Sequence, residues 1–528
     1  MIDPIVGRVE VRDRTISARE HRFARAAREH LRVPVFAAEA VDIFWLKADT
    51  NVALPASKLD FWAKRVFSDP ILQRYVLEKL DDFHPPIGIS LKPSFVAEVR
   101  FLPGVTDNVG KSATDALHLL DEFAREEKVR VYSGKDIYFY GDLSRAEAER
   151  VAFELVANPI IEDIKVKSWP EFLEQQRFLE QTVPEVKLTG DLSIEEISLE
   201  GDDRTLEKMS KERCWALTSA EIQAIRNYFQ REDVQIKRTT EGLPPNPTDV
   251  EMEILAQTWS EHCKHKIFTA EIDYTESNDV AGPVEYYPRL GSFTVKSVFK
   301  SYIRKATNDV REKRKLDWLV SVFTDNAGVV RFDPNIDLCI KVETHNSPSA
   351  LDPYGGALTG IVGVNRDILG CGMGARPIAN TDVFCFAEPT WPPAGDDKEL
   401  PQGLKHPRQI FEGVHLGVED GGNKSGIPTV NGAIVFHRNY SGKPLVFCGT
   451  IGVLPQNLND GTPSHEKGQK PGDFVVMAGG KIGKDGIHGA TFSSMELTDG
   501  APSTVVQIGD PITQKRLGDF LLEARALV

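Results

Sequence analysis

Three stretches of this chain group side chains that could handle phosphate and protons. Trp259-Ser-Glu-His-Cys-Lys-His-Lys266 sets His262, Cys263 and His265 close together. One such cluster cannot close a tetrahedron of Cys and His ligands, and no second group stands at ligand spacing, so coordination by these side chains is not expected. Two readings stay open: cationic residues answering the dipole at a helix C-terminus, or imidazoles and amines held beside an anionic ligand. In Lys341-Val-Glu-Thr-His-Asn-Ser-Pro-Ser349 an alternating strand from Leu338 delivers a carboxylate, a histidine and an asparagine onto a proline-stopped turn. Glu343 suits a hard Mg2+ ion, which needs only one or two carboxylates when phosphate supplies further oxygens. His345 suits acid–base work near neutral pH. Taken alone, the same string is most often a capped turn. The third stretch is Asp352-Pro-Tyr-Gly-Gly-Ala-Leu-Thr-Gly-Ile-Val-Gly-Val-Asn-Arg-Asp367, followed by Gly370-Cys-Gly-Met-Gly-Ala-Arg-Pro377. Its glycines at 355, 356, 360 and 363 allow close backbone approach, and the run predicts a loop whose amides turn towards phosphate oxygens. Arg366 and Asp367 add a guanidinium fork beside a second oxygen ligand. The run is not a Walker A loop, because no Gly-Lys-Ser/Thr closes it. Structural turns also use such glycines, but a fold by itself requires none of the three stretches, and their proximity favours one shared site.

The elements that must position these residues read as α+β and multidomain. At 528 residues the chain exceeds one hydrophobic core, since domains take roughly 100–200 residues. An internal repeat opens it: Gly7-Arg-Val-Glu-Val-Arg12 answers Phe95-Val-Ala-Glu-Val-Arg-Phe101, and Ala63-Lys-Arg-Val-Phe-Ser-Asp-Pro-Ile-Leu72 answers Ala152-Phe-Glu-Leu-Val-Ala-Asn-Pro-Ile-Ile161. The Asp-Pro and Asn-Pro pairs stop helices. With a helix at Ala113–Glu126 and a strand at Val129–Tyr138, the pattern predicts two βαββα units, residues 1–90 and 91–168. Residues 169–243 carry charged clusters around a helix at Thr218–Gln230, N-capped by Thr218-Ser219, and read as a helical linker ending at a proline-rich hinge. Asp249–Cys263 predicts a helix; beyond it strands and glycine-rich loops are expected to dominate, with division near 445 into two further domains, 244–445 and 446–528. The last segment, Asp510 to Val528, predicts a helix with Pro511 in its first turn. It ends on Ala-Leu-Val without a C-cap, which suggests that more chain follows.

Composition narrows the function. A formal net charge of -15 repels a phosphate backbone, so nucleic acid is not the expected partner. A small phosphorylated substrate needs only local donors. Six cysteines without a Cys-x-x-Cys pair predict buried free thiols in a reducing compartment. No basic-then-apolar leader and no run of about 20 apolar residues occurs, so a cytoplasmic protein without a membrane partner is expected.

The order Ser-Glu-His-Cys, Lys-x-Glu-Thr-His-Asn-x-Pro-Ser, then Gly-Ala-x-Thr-Gly and Arg-Asp resembles phosphoribosylformylglycinamidine synthase. The resemblance extends across nearly the whole chain. It implies two fused small-subunit-like units, the linker domain, an aminoimidazole-ribonucleotide-synthetase-like α/β unit, and the start of a second domain at Gly479-Gly-Lys-Ile-Gly-Lys-Asp-Gly-Ile-His-Gly-Ala-Thr-Phe492 and Val506-Gln-Ile-Gly-Asp-Pro511. The implied reaction is a C–N ligation in purine biosynthesis: ATP activates the formylglycinamide oxygen, and ammonia displaces the phosphate. The resemblance assigns His262 as an active-site histidine and His345 as the proton acceptor. It places His265, Lys341 and the segment from Gly356 through Thr359, Gly360 and Gly363 at the nucleotide. Substrate is expected at Thr344, Asn346, Ser347, Arg366 and Gln507, and Mg2+ at Glu343 and Asp367. Ser347 stands where the family usually has histidine, and His265 where it often has an aromatic or polar residue. No Gly-x-Cys-x-Gly elbow supplies a glutaminase, so a separate glutaminase subunit or domain is the expected partner. Other readings are a non-catalytic scaffold joining synthetase to glutaminase, and another ATP-using member of the same superfamily.

Overall fold

The repeat becomes one sheet. The computed structural model describes residues 6–15, 17–77, 91–175, 183–185, 193–275, 291–392, 400, 404–480, 486–492 and 507–527. The first copy runs β1 (Val6–Asp13), α1 (Ala18–His30), β2 (Val35–Lys47), α2 (Ala56–Trp62) and β3 (Gln73–Leu77). The second runs β4 (Phe95–Phe101), α3 (Asn108–Leu120), α4 (Glu122–Glu126), β5 (Arg130–Gly141), α5 (Arg145–Val151) and β6 (Glu162–Ser168), followed by α6 (Trp169–Gln175). Strand order is β3-β1-β2-β5-β4-β6, so the copies join through antiparallel β2 and β5. Each copy is βαβαβ, which corrects the expected βαββα order. The helix before Asp69-Pro70, like the one before Asn158-Pro159, stands between two strands, because the proline pair stops it and sends the chain into an edge strand. The single helix expected at Ala113–Glu126 is two: Asp121 breaks it, its carboxylate accepting the Phe123 N–H at 3.1 Å and the Trp62 indole N–H at 2.8 Å.

Alternation along β1 sorts its side chains. Val9 and Val11 pack beneath the helices with Leu46, Trp62 and Leu117, whereas Arg8, Glu10 and Arg12 project to the opposite face and are buried there. Their charges are answered locally. Arg8 reaches Asp136 at 2.9 Å and Glu10 at 3.1 Å; Arg12 reaches Glu10 at 3.1 Å, Glu39 at 3.2 Å and the Tyr138 hydroxyl at 3.3 Å. Burial pushes the Asp136 carboxyl well above its ordinary value, against the pull of Arg8. Because the first copy supplies the arginines and the second supplies Asp136 and Tyr138, these contacts tie one copy to the other.

The chain divides into two compact units, one within residues 1–189 and one from residue 190 onward. In the second, α7 (Asp203–Glu212), α8 (Ser219–Phe229) and α9 (Glu232–Thr240) follow one another, with Leu206, Trp215, Ile222 and Phe229 packed on Met252 and Ala256 of α10 (Asp249–Thr258). Thr218 caps α8 as expected, in a capping box with Glu221. Helix α10 stops before Cys263, because Ser260 accepts the Cys263 N–H at 3.2 Å and starts the short α11 (Glu261–Lys264), followed by α12 (Lys266–Thr269). A hairpin of β7 (Ile272–Thr275) and β8 (Ser292–Val295) and helix α13 (Lys305–Arg314) precede a second six-stranded sheet. It comprises β9 (Leu319–Ser321), β10 (Gly328–Arg331), β11 (Ile336–Thr344), β12 (Arg376–Phe386), β13 (Thr429–Phe436) and β14 (Leu445–Pro455), ordered β13-β12-β14-β11-β10-β9.

Helices α14 (Asn346–Leu351), α15 (Pro353–Leu369) and α16 (Pro407–Ser425) belong to this sheet, and Ala357, Ile361, Val364 and Val414 seal α15 and α16 onto Phe384, Phe386, Val446 and Cys448. The stretch expected as a glycine-rich loop is thus a 17-residue helix. Short α17 (Gly489–Phe492) follows, and α18 (Pro511–Leu527) begins at its proline as expected, Asp510 accepting the Thr513 N–H at 3.0 Å. Among the described residues, no helix is long and apolar enough to cross a membrane.

Removing one partner of a buried ion cluster strands the other charges, at a cost of about 3–5 kcal/mol. Arg12→Met is therefore expected to lower the urea midpoint of the N-terminal unit, read by tryptophan fluorescence, while Lys64→Met in the exposed Lys64–Asp60 pair leaves it unchanged. An equal effect of the two substitutions would show that the cluster does not tie the copies together.

Candidate functional site

Strand β11 carries the chemistry on the face that meets α15. Cys339 is buried there against Ile368, and two residues on, Lys341 Nζ lies 3.0 Å from Glu343 Oε1 and 3.7 Å from Asp367 Oδ2. Burial disfavours the ammonium, but the two carboxylates outweigh it and hold the Lys341 pKa above its ordinary value. Close packing makes the meeting possible. A Cβ added to Gly360 would stand 3.3 Å from His345 Cβ, and one added to Gly356 would stand 2.5 Å from the backbone of Pro348 and Ser349. These glycines admit α15 against the strand end and α14. They do not form a phosphate loop, since most amides within a helix are engaged in its own hydrogen bonds.

His345 ends the strand and N-caps α14; its N–H donates to Val446 O at 2.8 Å. Burial holds its pKa below the ordinary 6.5, with the charges of His262 and Arg366 acting in the same direction and Gly356 and Glu343 opposing. The imidazole is therefore neutral at neutral pH, as a proton acceptor must be. Asn346 Oδ1 accepts the Val446 N–H at 2.9 Å, Ser347 is buried, and Thr344 is exposed. The expected substrate turn thus passes directly into a helix. His262 and His265 are exposed, and His265 adopts a left-handed conformation, φ 51°, between α11 and α12. Such a conformation is uncommon for a residue other than glycine.

The remaining sequence candidates fall in two groups. Arg366 is exposed on α15 near Gly363, whose added Cβ would lie 3.8 Å from its Nη2. Thr359, expected at the nucleotide, is buried: its hydroxyl donates to Gln507 O at 2.7 Å and accepts the Gly509 N–H at 3.0 Å. Thr359 and Gln507 thereby fasten α15 to the segment that leads into α18. Val506 and residues 481–485 of the second motif lie outside the described residues. All six cysteines are free; four are buried as expected, but Cys263 is exposed.

Sequence reasoning missed two residues beside the carboxylates. Asn326 donates from Nδ2 to Asp367 Oδ1 at 3.0 Å, and Lys467 lies on Asp325 and within 3.4 Å of Asn326 Oδ1. Neither stands in a motif of its own; only Asp325-Asn326-Ala-Gly328, a turn signal, points to the first. The site also fits a cation. Glu343 and Asp367 converge on the Lys341 ammonium, and hard oxygen donors are the ligands Mg2+ takes. Among the described residues no group of three or more His, Cys, Asp or Glu side chains gathers for a metal, so an ion there would draw its other oxygens from phosphate or water.

Residues 206–266 match the formylglycinamide ribonucleotide amidotransferase linker domain, and residues 324–454 match the N-terminal domain of AIR synthase related proteins. The phosphoribosylformylglycinamidine synthase subunit PurL of Thermoplasma acidophilum is 35% identical over 327 residues, covering 62% of this chain and 35% of that protein. The PurL subunit of Thermococcus sibiricus is 42% identical over 204 residues, 38% of this chain and 26% of that one. Among solved structures, Thermotoga maritima PurL complexed with FGAR is 30% identical, covers 55% of this chain and 36% of its own, and has a TM-score of 0.36. The T. maritima PurL complex with ATP gives 29% identity, 55% and 34% coverage, and a TM-score of 0.33. The chain spans about a third of the length of the curated relatives it matches. Its residues 206–266 and 324–454 are similar to the linker and the AIR synthase-related domain of PurL-type phosphoribosylformylglycinamidine synthases.

Proposed function

We propose that this chain supplies ATP- and substrate-binding groups for the conversion of formylglycinamide ribonucleotide to formylglycinamidine ribonucleotide, with ammonia drawn from glutamine by a glutaminase partner, in the cytoplasm. The observation that carries the reading is the convergence of Lys341, Glu343 and Asp367 beside a half-buried His345. T. maritima PurL complexes with FGAR and with ATP, and a PurLQS assembly from the same organism, support the substrate, the nucleotide and the partner. In the same reading, residues 1–90 and 91–168 are small-subunit-like repeats, 169–243 the linker, 244–445 the synthetase N-terminal domain, and 446–528 the beginning of its C-terminal domain.

Glu343 and Asp367 would hold Mg2+ once phosphate draws Lys341 away from them. Bound there, the ion would neutralise phosphate charge and orient it for attack. Lys341 then meets phosphate oxygens as a point charge, and exposed Arg366 offers a fork to the substrate phosphate. His345, neutral and half-buried, takes the proton that incoming ammonia must lose as the C–N bond forms. His262, exposed and close enough to act electrostatically on His345, would orient the substrate amide. Asn346, fixed by Val446, gives the substrate a rigid amide edge.

ADP release should depend on formylglycinamide ribonucleotide and ammonia, and should need the portion of the synthetase that this chain does not span. Full activity of residues 1–528 alone would show that the chain is not part of a larger site, and no substrate-dependent ADP release under either condition would overturn the reading. In the active assembly, His345→Asn should lower turnover by about 10²–10⁴-fold, the range for general acid–base groups. Because burial lowers the His345 pKa, the acidic limb of the turnover profile should fall below pH 6.5 in the parent protein and disappear in the variant. A limb above 6.5, or one that survives the substitution, assigns the proton to another group.

A further inference from the structure

Asp367 has two oxygens, and both are placed by neighbours. Oδ2 faces Lys341 at 3.7 Å, while Oδ1 accepts the Asn326 side-chain N–H at 3.0 Å. A carboxylate on a helix can rotate about its side-chain bonds, so the Asn326 bond fixes the carboxylate plane and keeps the other oxygen turned towards Lys341. Asn326 is itself oriented. Its Oδ1 lies 3.4 Å from Lys467 Nζ, which also fixes the sense of the amide, because only the oxygen end can face an ammonium. Lys467 is anchored on Asp325, and Asp325 also accepts the Gly372 N–H at 2.8 Å, just beyond the C-terminal end of α15. Four segments thus meet: the β9–β10 turn, the end of α15, the turn after it, and the loop beyond β14.

We propose that Asn326, held by Lys467, is a positioning residue that sets the free oxygen of Asp367 towards a divalent cation; this rests on the reading of Asp367 as a cation ligand. Asn326 touches Asp367, and Lys467 touches Asn326 and Asp325. They act through Asp367. The bond also leaves one oxygen committed to Asn326, so Asp367 offers the cation a single ligand atom and its remaining positions stay open to phosphate oxygens. Residues that orient a ligating side chain in this way typically change metal affinity by about 10–100-fold when removed.

The test is Mn2+ binding to the full 528-residue chain, with and without ATP, followed by the loss of the free-ion paramagnetic resonance signal; thermal unfolding is recorded for each variant. Asn326→Ala should weaken Mn2+ binding by about tenfold or more without a shift in unfolding temperature. Asn326→Asp should weaken it at least as far, because a second carboxylate replaces the donor. Lys467→Met should resemble Asn326→Ala, and Lys467→Arg should restore the parent affinity, which a purely structural role for the lysine would not require. Asp367→Asn serves as the reference. If it weakens Mn2+ binding while Asn326→Ala does not, the positioning role is overturned and the ligand reading stands. If Asp367→Asn binds Mn2+ as the parent does, the ligand reading itself fails, and this one with it.

Discussion

The candidate site depends on how closely helix α15 lies on the strands beneath it. Twelve of its 17 residues are buried and only Arg366 is exposed, with Ile361 and Val364 against Phe384 and Val446, and Ile368 against Cys339. At Gly356 and Gly360 the helix backbone approaches α14 and the end of β11 within a distance that a methyl group would violate or strain. That approach brings Asp367 on the last turns of the helix opposite Lys341 and Glu343 on the strand. A helix held further off by larger residues would leave three charged side chains to water instead of to each other.

The two units meet buried charge differently. In the N-terminal sheet, Arg8, Glu10, Arg12, Glu39 and Asp136 are shut away and mutually compensated, an arrangement in which desolvation offsets much of the attraction and the gain is specificity of pairing. At the Lys341 centre the charges are only partly buried, and the lysine sits between carboxylates that an incoming cation could take over. The first arrangement resists exchange of partners. The second permits it. His345 lies between these regimes, buried enough to stay neutral yet beside Arg366 and His262, which face solvent.

The glycines of 355–363 show how the same residue type serves two physical ends. In isolation a run of glycines signals a flexible turn, because each residue lacks the Cβ that restricts its backbone. Here the apolar residues between them, Ala357, Leu358, Ile361 and Val362, are all buried, and their burial stabilises a helix that the glycines alone would disfavour. The smallness of glycine then matters more than its freedom. Ser260 illustrates the opposite case: one hydroxyl, placed to cap, ends a helix that apolar spacing would have continued, and so sets His262 on a new short turn.

Much was legible in the sequence by itself. Local rules suffice for caps and stops, so Thr218, Pro511 and the two X-Pro pairs stand where they were expected, and the doubled N-terminal pattern announced a doubled fold. The types and alternation of Lys341, Glu343 and His345 likewise pointed to one shared face, because a strand presents every second residue on one side. What the sequence could not decide was which distant partners those residues would meet. That Asn326 and Lys467 converge on the Asp367 region, across 41 and 100 residues of chain, follows from the packing of separate segments and leaves no periodic trace. Nor could it show that the Thr359 hydroxyl is turned inward to Gln507, since a hydroxyl on a helix looks the same in sequence whether it faces a ligand or a neighbouring backbone. Local propensity fixes the elements, and only close packing of α15 on the sheet decides which of their polar groups share a site.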